Sequence, residues 1–237
     1  MISEKVFYLC DMEMKKFLGF DRVLCLSPHP DDVELSMSGT IFKYKGTRFD
    51  VLTLTKGGAK GYDSTNNIDR RDEVSEFWKK ATSIGATNVD VIFSNVDYFE
   101  DKDGDAGWVN YLDRFVDIKL DDNQTHYYDC LFVPSFEDSM YEHQFVNNLG
   151  FALIRNSPIS LVEYGTVSAT NEWSPNLFVD VMDVFEEKEM CLDSFVSQKK
   201  KSYFNDWVRA KMHSNYQCSK RGVSIVESYK IKEIITR

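Results

Sequence analysis

Pro28-His29-Pro30-Asp31-Asp32-Val33-Glu34 packs one imidazole and two adjacent carboxylates onto a backbone stiffened by two prolines. These are ligand types for a hard-to-borderline dication such as Zn²⁺, whose catalytic sites use three protein groups and keep one position open. Adjacent Asp residues on an extended loop point in different directions. One can therefore hold the metal while its neighbour acts as general base toward an attacking water. The competing reading is a capping turn, in which Asp31 or Asp32 starts a helix and His29 is merely exposed.

A third ligand must come from elsewhere among four histidines: His29, His126, His143 and His213. His143 closes the segment Ser135-Phe136-Glu137-Asp138-Ser139-Met140-Tyr141-Glu142-His143, where Asp138 and Glu142 are placed to orient its imidazole as outer partners. Alone it reads as an ordinary histidine at a helix start; with His29 and the Asp pair it becomes the favoured ligand. His126 sits in a polar run and reads as surface. His213, in a basic segment, is ambiguous.

The elements that must position these groups follow from hydropathy. Val23–Ser27 is a short apolar run, the mark of a buried strand, and the two prolines after it force a loop. Helix is expected from Leu35 to Tyr44, and a second strand over Phe49–Thr55. A glycine-marked loop (Gly57, Gly58, Gly61) precedes a helix over Arg70–Ile84 with Val74, Phe77, Trp78, Ala81 and Ile84 on one stripe. Strands follow at Asp90–Phe93 and Cys130–Val133, a helix at Glu142–Arg155, strands at Leu161–Thr166 and Leu177–Val181, helix from Asp183, and a last strand at Val223–Ile231. Strands alternating with helices predict a single Rossmann-like α/β domain over residues 1–237, a mostly parallel sheet with helices on both faces. Its site belongs at the carboxyl ends of the strands, which brings Pro28–Asp32, Lys56–Gly61 and Ser135–His143 to one edge.

Composition agrees with a folded chain. The 237 residues are 43 % hydrophobic and 28 % charged, inside the globular range. The net charge of −10 divides into −16 over residues 1–187 and +6 over 188–237, so no general nucleic-acid partner is expected. Lys199-Lys200-Lys201 reads as a solvated helix face. No apolar run approaches a membrane span, and Val6–Cys10 is too short for a signal-peptide core. Five cysteines without a CxxC pair suit a reduced, cytoplasmic protein.

Two further patterns fail on spacing. Asp101-Lys102-Asp103-Gly104-Asp105 resembles the start of a calcium loop, but Ala106 and Leu112 stand where Gly and Glu are needed, leaving an acidic surface turn. The Gly57–Gly61 loop lacks a dinucleotide or P-loop fingerprint and reads as a cleft lip. Trp108, Tyr111, Trp173 and Trp207 can stack on sugar rings, although most aromatics serve the core.

The run SPHPDDVELSMSGT resembles the signature of the LmbE-like/PIG-L superfamily of zinc-dependent de-N-acetylases acting on N-acetylglucosamine-containing molecules. His29 to Glu34, Gly39 and Thr40 match it, with Ser36 and Ser38 where glycine is common. Weaker echoes keep the family's order: Thr55–Gly61, Arg70 with Glu73, Ser197-Gln198, and Gly222 followed by Glu227-Ser228-Tyr229. The resemblance implies His29, Asp32 and His143 as zinc ligands, Asp31 as general base, and a small N-acetylated sugar or sugar conjugate as substrate. It also exposes one departure. The family's second segment runs Asp-x-His-x-Asp/Glu-His; Asp138, Glu142 and His143 match, but Met140 stands at the first His, which normally supports the oxyanion and protonates the leaving amine. A thioether can do neither. Arg70 and Arg71 are candidates for contacting substrate oxygens, or else plain surface charges at a helix start. Two alternatives to a working hydrolase stand: a degenerate relative that binds zinc or sugar conjugates without useful turnover, and a nucleotide-binding module in which SPHPDD is only a turn.

Overall fold

In a computed structural model of the chain, residues 15–57, 70–85, 89–101, 104–117, 127–205 and 212–235 are described. Their strands are β1 (Arg22–Ser27), β2 (Arg48–Thr53), β3 (Val89–Phe93), β4 (Cys130–Pro134), β5 (Ser160–Tyr164), β6 (Leu177–Asp180) and β7 (Val226–Glu233). The main helices are α1 (Asp32–Lys43), α2 (Arg71–Ser83), α3 (Gly104–Asp117), α4 (Tyr141–Ile154) and α5 (Phe185–Leu192). Strand order is β3-β2-β1-β4-β5-β7-β6. The first five strands pair in parallel, Val23 of β1 lying beside Phe49 of β2 and Cys130 of β4. β7 runs antiparallel to both β5 and β6. The expected α/β architecture is the one observed.

Alternation along the strands builds two cores, because successive side chains leave opposite faces. Val23, Cys25, Phe49, Val51 and Phe132 bury one face against α1, α2 and α5 through Met37, Ile41, Phe77, Trp78 and Leu192. Leu24, Leu26, Leu52, Leu131 and Val133 bury the other against α3 and α4 through Trp108, Leu112, Val146, Leu149 and Leu153. Each fully buried side chain of this size contributes roughly 1.5–3 kcal/mol over leaving it exposed.

Several local expectations change. α1 starts at Asp32 rather than Leu35, so the Asp pair lies at the helix start rather than wholly in the loop before it. Ile84 leaves the buried stripe of α2, whose helix has ended at Ser83. Gly104 and Asp105, expected in an acidic surface turn, instead open α3, whose Trp108 is core. Lys199 and Lys200 are exposed on turns, not on a helix. Cys25, Cys130, Cys191 and Cys218 are free. Cys10, His126, Trp207 and residues 58–69 lie outside the described residues. No helix among those described is long and apolar enough to cross a membrane.

Candidate metal centre

The chain leaves β1 toward β2 and β3 on one side, and β4 leads to β5 on the other. The carboxyl ends of β1 and β4 therefore flank the point where the strand order reverses, the place open α/β sheets offer to ligands. The loop after β1 brings His29, Asp31 and Asp32 there; the loop after β4 brings Asp138 and, on the first turn of α4, His143.

His29, Asp32 and His143 are all buried and converge. His29 Nδ1 is 3.2 Å from Asp32 Oδ2, His143 Nε2 is 3.3 Å from Asp32 Oδ1, and the two imidazole nitrogens are 3.3 Å apart. Tetrahedral bonds of ~2.0–2.1 Å impose donor separations of about this size, so the donor set fits a small divalent cation. The tautomer of His143 also fits. Its Nδ1 faces Asp138 Oδ2 at 3.0 Å, which leaves the Nε2 lone pair toward the other two ligands. Asp138 is itself tied down by the hydroxyls of Thr166 and Ser168 and by the Met140 N–H. Burial lowers the His143 pKa, but Asp32 and Asp138 on either side outweigh it and push it up to about 10. Burial likewise raises Asp32, yet the two imidazoles hold it well below the carboxylate range. The cluster favours a positive charge, which a proton or a metal cation can supply.

Asp31 stands beside the triad with a separate set of partners. Its backbone has φ 117°, a region L-residues rarely adopt and one that costs of order 1–3 kcal/mol. Arg70 Nη1 donates to its Oδ2 at 2.9 Å, and Tyr203 Oη approaches the same oxygen at 3.5 Å. Tyr203 donates to Gln198 Oε1 at 2.6 Å, Gln198 donates to Ser197 Oγ, and Ser197 donates to Glu73 Oε2 at 2.6 Å. Burial lifts Asp31 to about 6 against the pull of Arg70. Gly57, at φ 84°, leaves the space this guanidinium occupies; a Cβ there collides with it.

Three other residues named from the sequence have the following surroundings. Arg71 turns away from the triad, Nη2 donating to the Val96 carbonyl at 2.7 Å with Asp97 nearby. Glu142 does not share the orienting of His143, whose Nδ1 is engaged by Asp138; it lines a neighbouring cavity. His213 is buried with Nε2 2.8 Å from Lys188 Nζ, among the groups that hold α1. Met140 is the residue before α4 and is 38 % exposed. Glu34 turns the other way, accepting from the Trp78 indole at 2.7 Å, and burial pushes it up to about 7. Tyr203, Thr166 and Ser168 carried no signal as site residues in the sequence, since each meets its carboxylate across 28 to 172 positions.

A mostly parallel α/β sheet here presents a buried His–Asp–His donor set of the kind that fits a divalent cation at its switch point. Residues 24–154 match the family described as PIG-L, GlcNAc-PI de-N-acetylase, and the chain belongs to that family. No curated protein matches it. Among solved structures, it resembles the N,N'-diacetylchitobiose deacetylase of Pyrococcus horikoshii at 20 % identity and a TM-score of 0.70, over 92 % of this chain and 85 % of that one. It resembles the zinc-inhibited form of teicoplanin deacetylase at 14 % identity and 0.63, over 88 % and 96 %. It also resembles a 4-carboxy-2-hydroxymuconate hydratase from Pseudomonas putida KT2440 at 14 % identity and 0.64, over 92 % and 98 %. At such identities the likeness is one of fold, and the fold alone does not choose a reaction.

Proposed function

We propose that the chain, acting as one domain, is a zinc-dependent amide hydrolase that removes an N-acetyl group from an amino sugar or sugar conjugate. The observation that carries this reading is the convergence of His29, Asp32 and His143 within hydrogen-bonding distance of one another, with the Asp31 carboxylate held separately next to them. Family membership points the same way.

His29, Asp32 and His143 are the residues to hold the cation, which supplies a Lewis acid for the acetyl carbonyl. Asp138 fixes the His143 ring. Asp31 takes a proton from the water that attacks the carbonyl carbon; the C–N bond then breaks, acetate departs, and the amine nitrogen receives a proton. Arg70 aims the Asp31 carboxylate. Arg70, partly buried at the site, remains the candidate for a substrate oxygen, whereas Arg71 is engaged by Val96 and Asp97.

Met140 favours a second reading, a binding protein with weak turnover. Among the described residues, the imidazoles at the site are His29 and His143, and both serve the triad. One measurement separates the two: acetate release from N-acetylated sugars and conjugates by zinc-loaded protein, alongside metal analysis. Stoichiometric zinc with acetate release supports the hydrolase; zinc and ligand binding without release supports the degenerate relative; absence of zinc binding overturns both.

A further inference from the structure

Beside the triad lies a cavity of about 220 Å³ lined by Phe99, Trp108, Tyr141 and Phe145, with Glu100, Glu142 and Gly104 completing its wall. It adjoins the candidate site directly, since the Phe99 ring stands edge-on to the His29 ring at 5.9 Å. Phe99 and Phe145 form two perpendicular walls 5.9 Å apart (87°), and Tyr141 stacks on Phe145 at 6.2 Å. Trp108 is the buried floor, fixed by its indole N–H to the Phe99 carbonyl at 3.0 Å. Tyr141 is 72 % exposed, unusual for a ring that size.

Charge decides what such a chamber takes. Two carboxylates line it and, among the described residues, no lysine or arginine does. Aromatic faces attract cations through their quadrupole, more strongly as the cation is desolvated, and aromatic walls with carboxylates at the rim are the recognition chemistry of ammonium groups. A neutral apolar group gains from the rings but nothing from Glu100 and Glu142, while an anion is repelled. We propose that this cavity is a binding site for a quaternary or protonated ammonium group. Resting on the hydrolase reading, the preferred substrate is a conjugate carrying such a cation on the part beyond its N-acetylated ring.

The test uses choline and its uncharged isostere 3,3-dimethyl-1-butanol, titrated into the full chain by calorimetry or ligand-observed NMR. Choline is expected to bind at least ~10-fold more tightly than the isostere. In Glu100→Gln/Glu142→Gln that preference narrows to what the rings alone supply, and in Tyr141→Ala choline binding weakens. Equal binding of the two probes, tighter binding of the isostere, or no binding of either overturns the proposal. So does a preference undiminished by the double substitution. No hydrolysis enters this measurement, so a chain that fails to release acetate but prefers choline keeps the cavity assignment. One that releases acetate without that preference loses the assignment and keeps the hydrolase reading.

Discussion

Arg70 and Asp31, 39 positions apart, meet at 2.9 Å beside the His–Asp–His cluster. The guanidinium reaches the carboxylate over Gly57 and holds it apart from Asp32, its neighbour in sequence. Two adjacent aspartates thus acquire different surroundings: Asp31 faces a cation and a phenol, Asp32 faces two imidazoles.

That separation predicts different losses. Asp31→Asn is expected to retain one metal per chain and to lose ~10²–10⁴-fold in acetate release, the general size of base catalysis. Asp32→Asn is expected to lose both metal and rate. Elemental analysis paired with an acetate assay distinguishes them; identical behaviour of the two variants refutes the division of roles.

The contact between Asp138 and His143 makes a graded prediction for metal binding. His143→Ala should abolish stoichiometric zinc while circular dichroism stays native. Asp138→Asn should weaken the metal by ~10–100-fold, the usual cost of losing an outer partner of a ligating histidine. Competition with a chromophoric chelator measures both, and full zinc retention by His143→Ala removes it from the ligand set.

Met140 directly precedes α4, its N–H donating to Asp138 Oδ1 at 2.8 Å. Met140→His should raise acetate release at least ~10-fold with little change in ligand affinity, by restoring an acid for the departing amine. An unchanged rate in a chain that already turns over efficiently assigns that proton to another group. His213 is a poor candidate because Lys188 engages it; Tyr141 stands at the cavity rim.

Glu227 and Lys188 form a fully buried ion pair at 2.6 Å, with His213 on the lysine and Tyr229 on the carboxylate. Burial raises the Glu227 pKa, but Lys188 and His213 outweigh it and hold it below the ordinary value. Stability from this carboxylate is therefore present above the unfolded value of ~4.3 and is lost as pH falls through the lower folded value. Glu227→Gln should cost about 3–5 kcal/mol at pH 7 by stranding the lysine. In urea melts, the gap between wild type and variant should narrow below pH ~4; a gap independent of pH contradicts the charged pairing.

Much of the candidate site could be read from residue types because its residues fall into two short segments. His29, Asp31 and Asp32 share one loop, and a proline-stiffened turn after an apolar run announces its position. Asp138 and His143 are five residues apart. The partners of Asp31 were legible as motif fragments, Arg70 and Ser197-Gln198, but not as one network, because hydropathy does not say which distant loops meet. Strand direction is equally silent: the alternation in β7 was visible, its antiparallel course was not. The sequence hides α3 because Asp101-Lys102-Asp103-Gly104-Asp105 resembles a turn, and Gly104 is a poor helix former at the position where the helix begins.

The Glu227 carboxylate also takes the backbone N–H groups of Gly39 and Thr40, at 2.8 and 2.7 Å, while Lys188 donates to the Leu35 carbonyl at 2.6 Å. Both sides of one rung in α1 are gripped by side chains that the ribosome delivers long afterward, Gly39 and Glu227 being 188 positions apart. A Cβ on Gly39 lies 2.9 Å from that carboxylate, so the grip needs glycine there. The helix that opens with the metal-site aspartate therefore has no finished scaffold in a growing chain until the last strand joins the sheet. Long-range closure of this kind is slow, because loop entropy must be spent before the contact rewards it. A nascent fragment that already carries His29, Asp32 and His143 but not yet β7 lacks this clamp on α1.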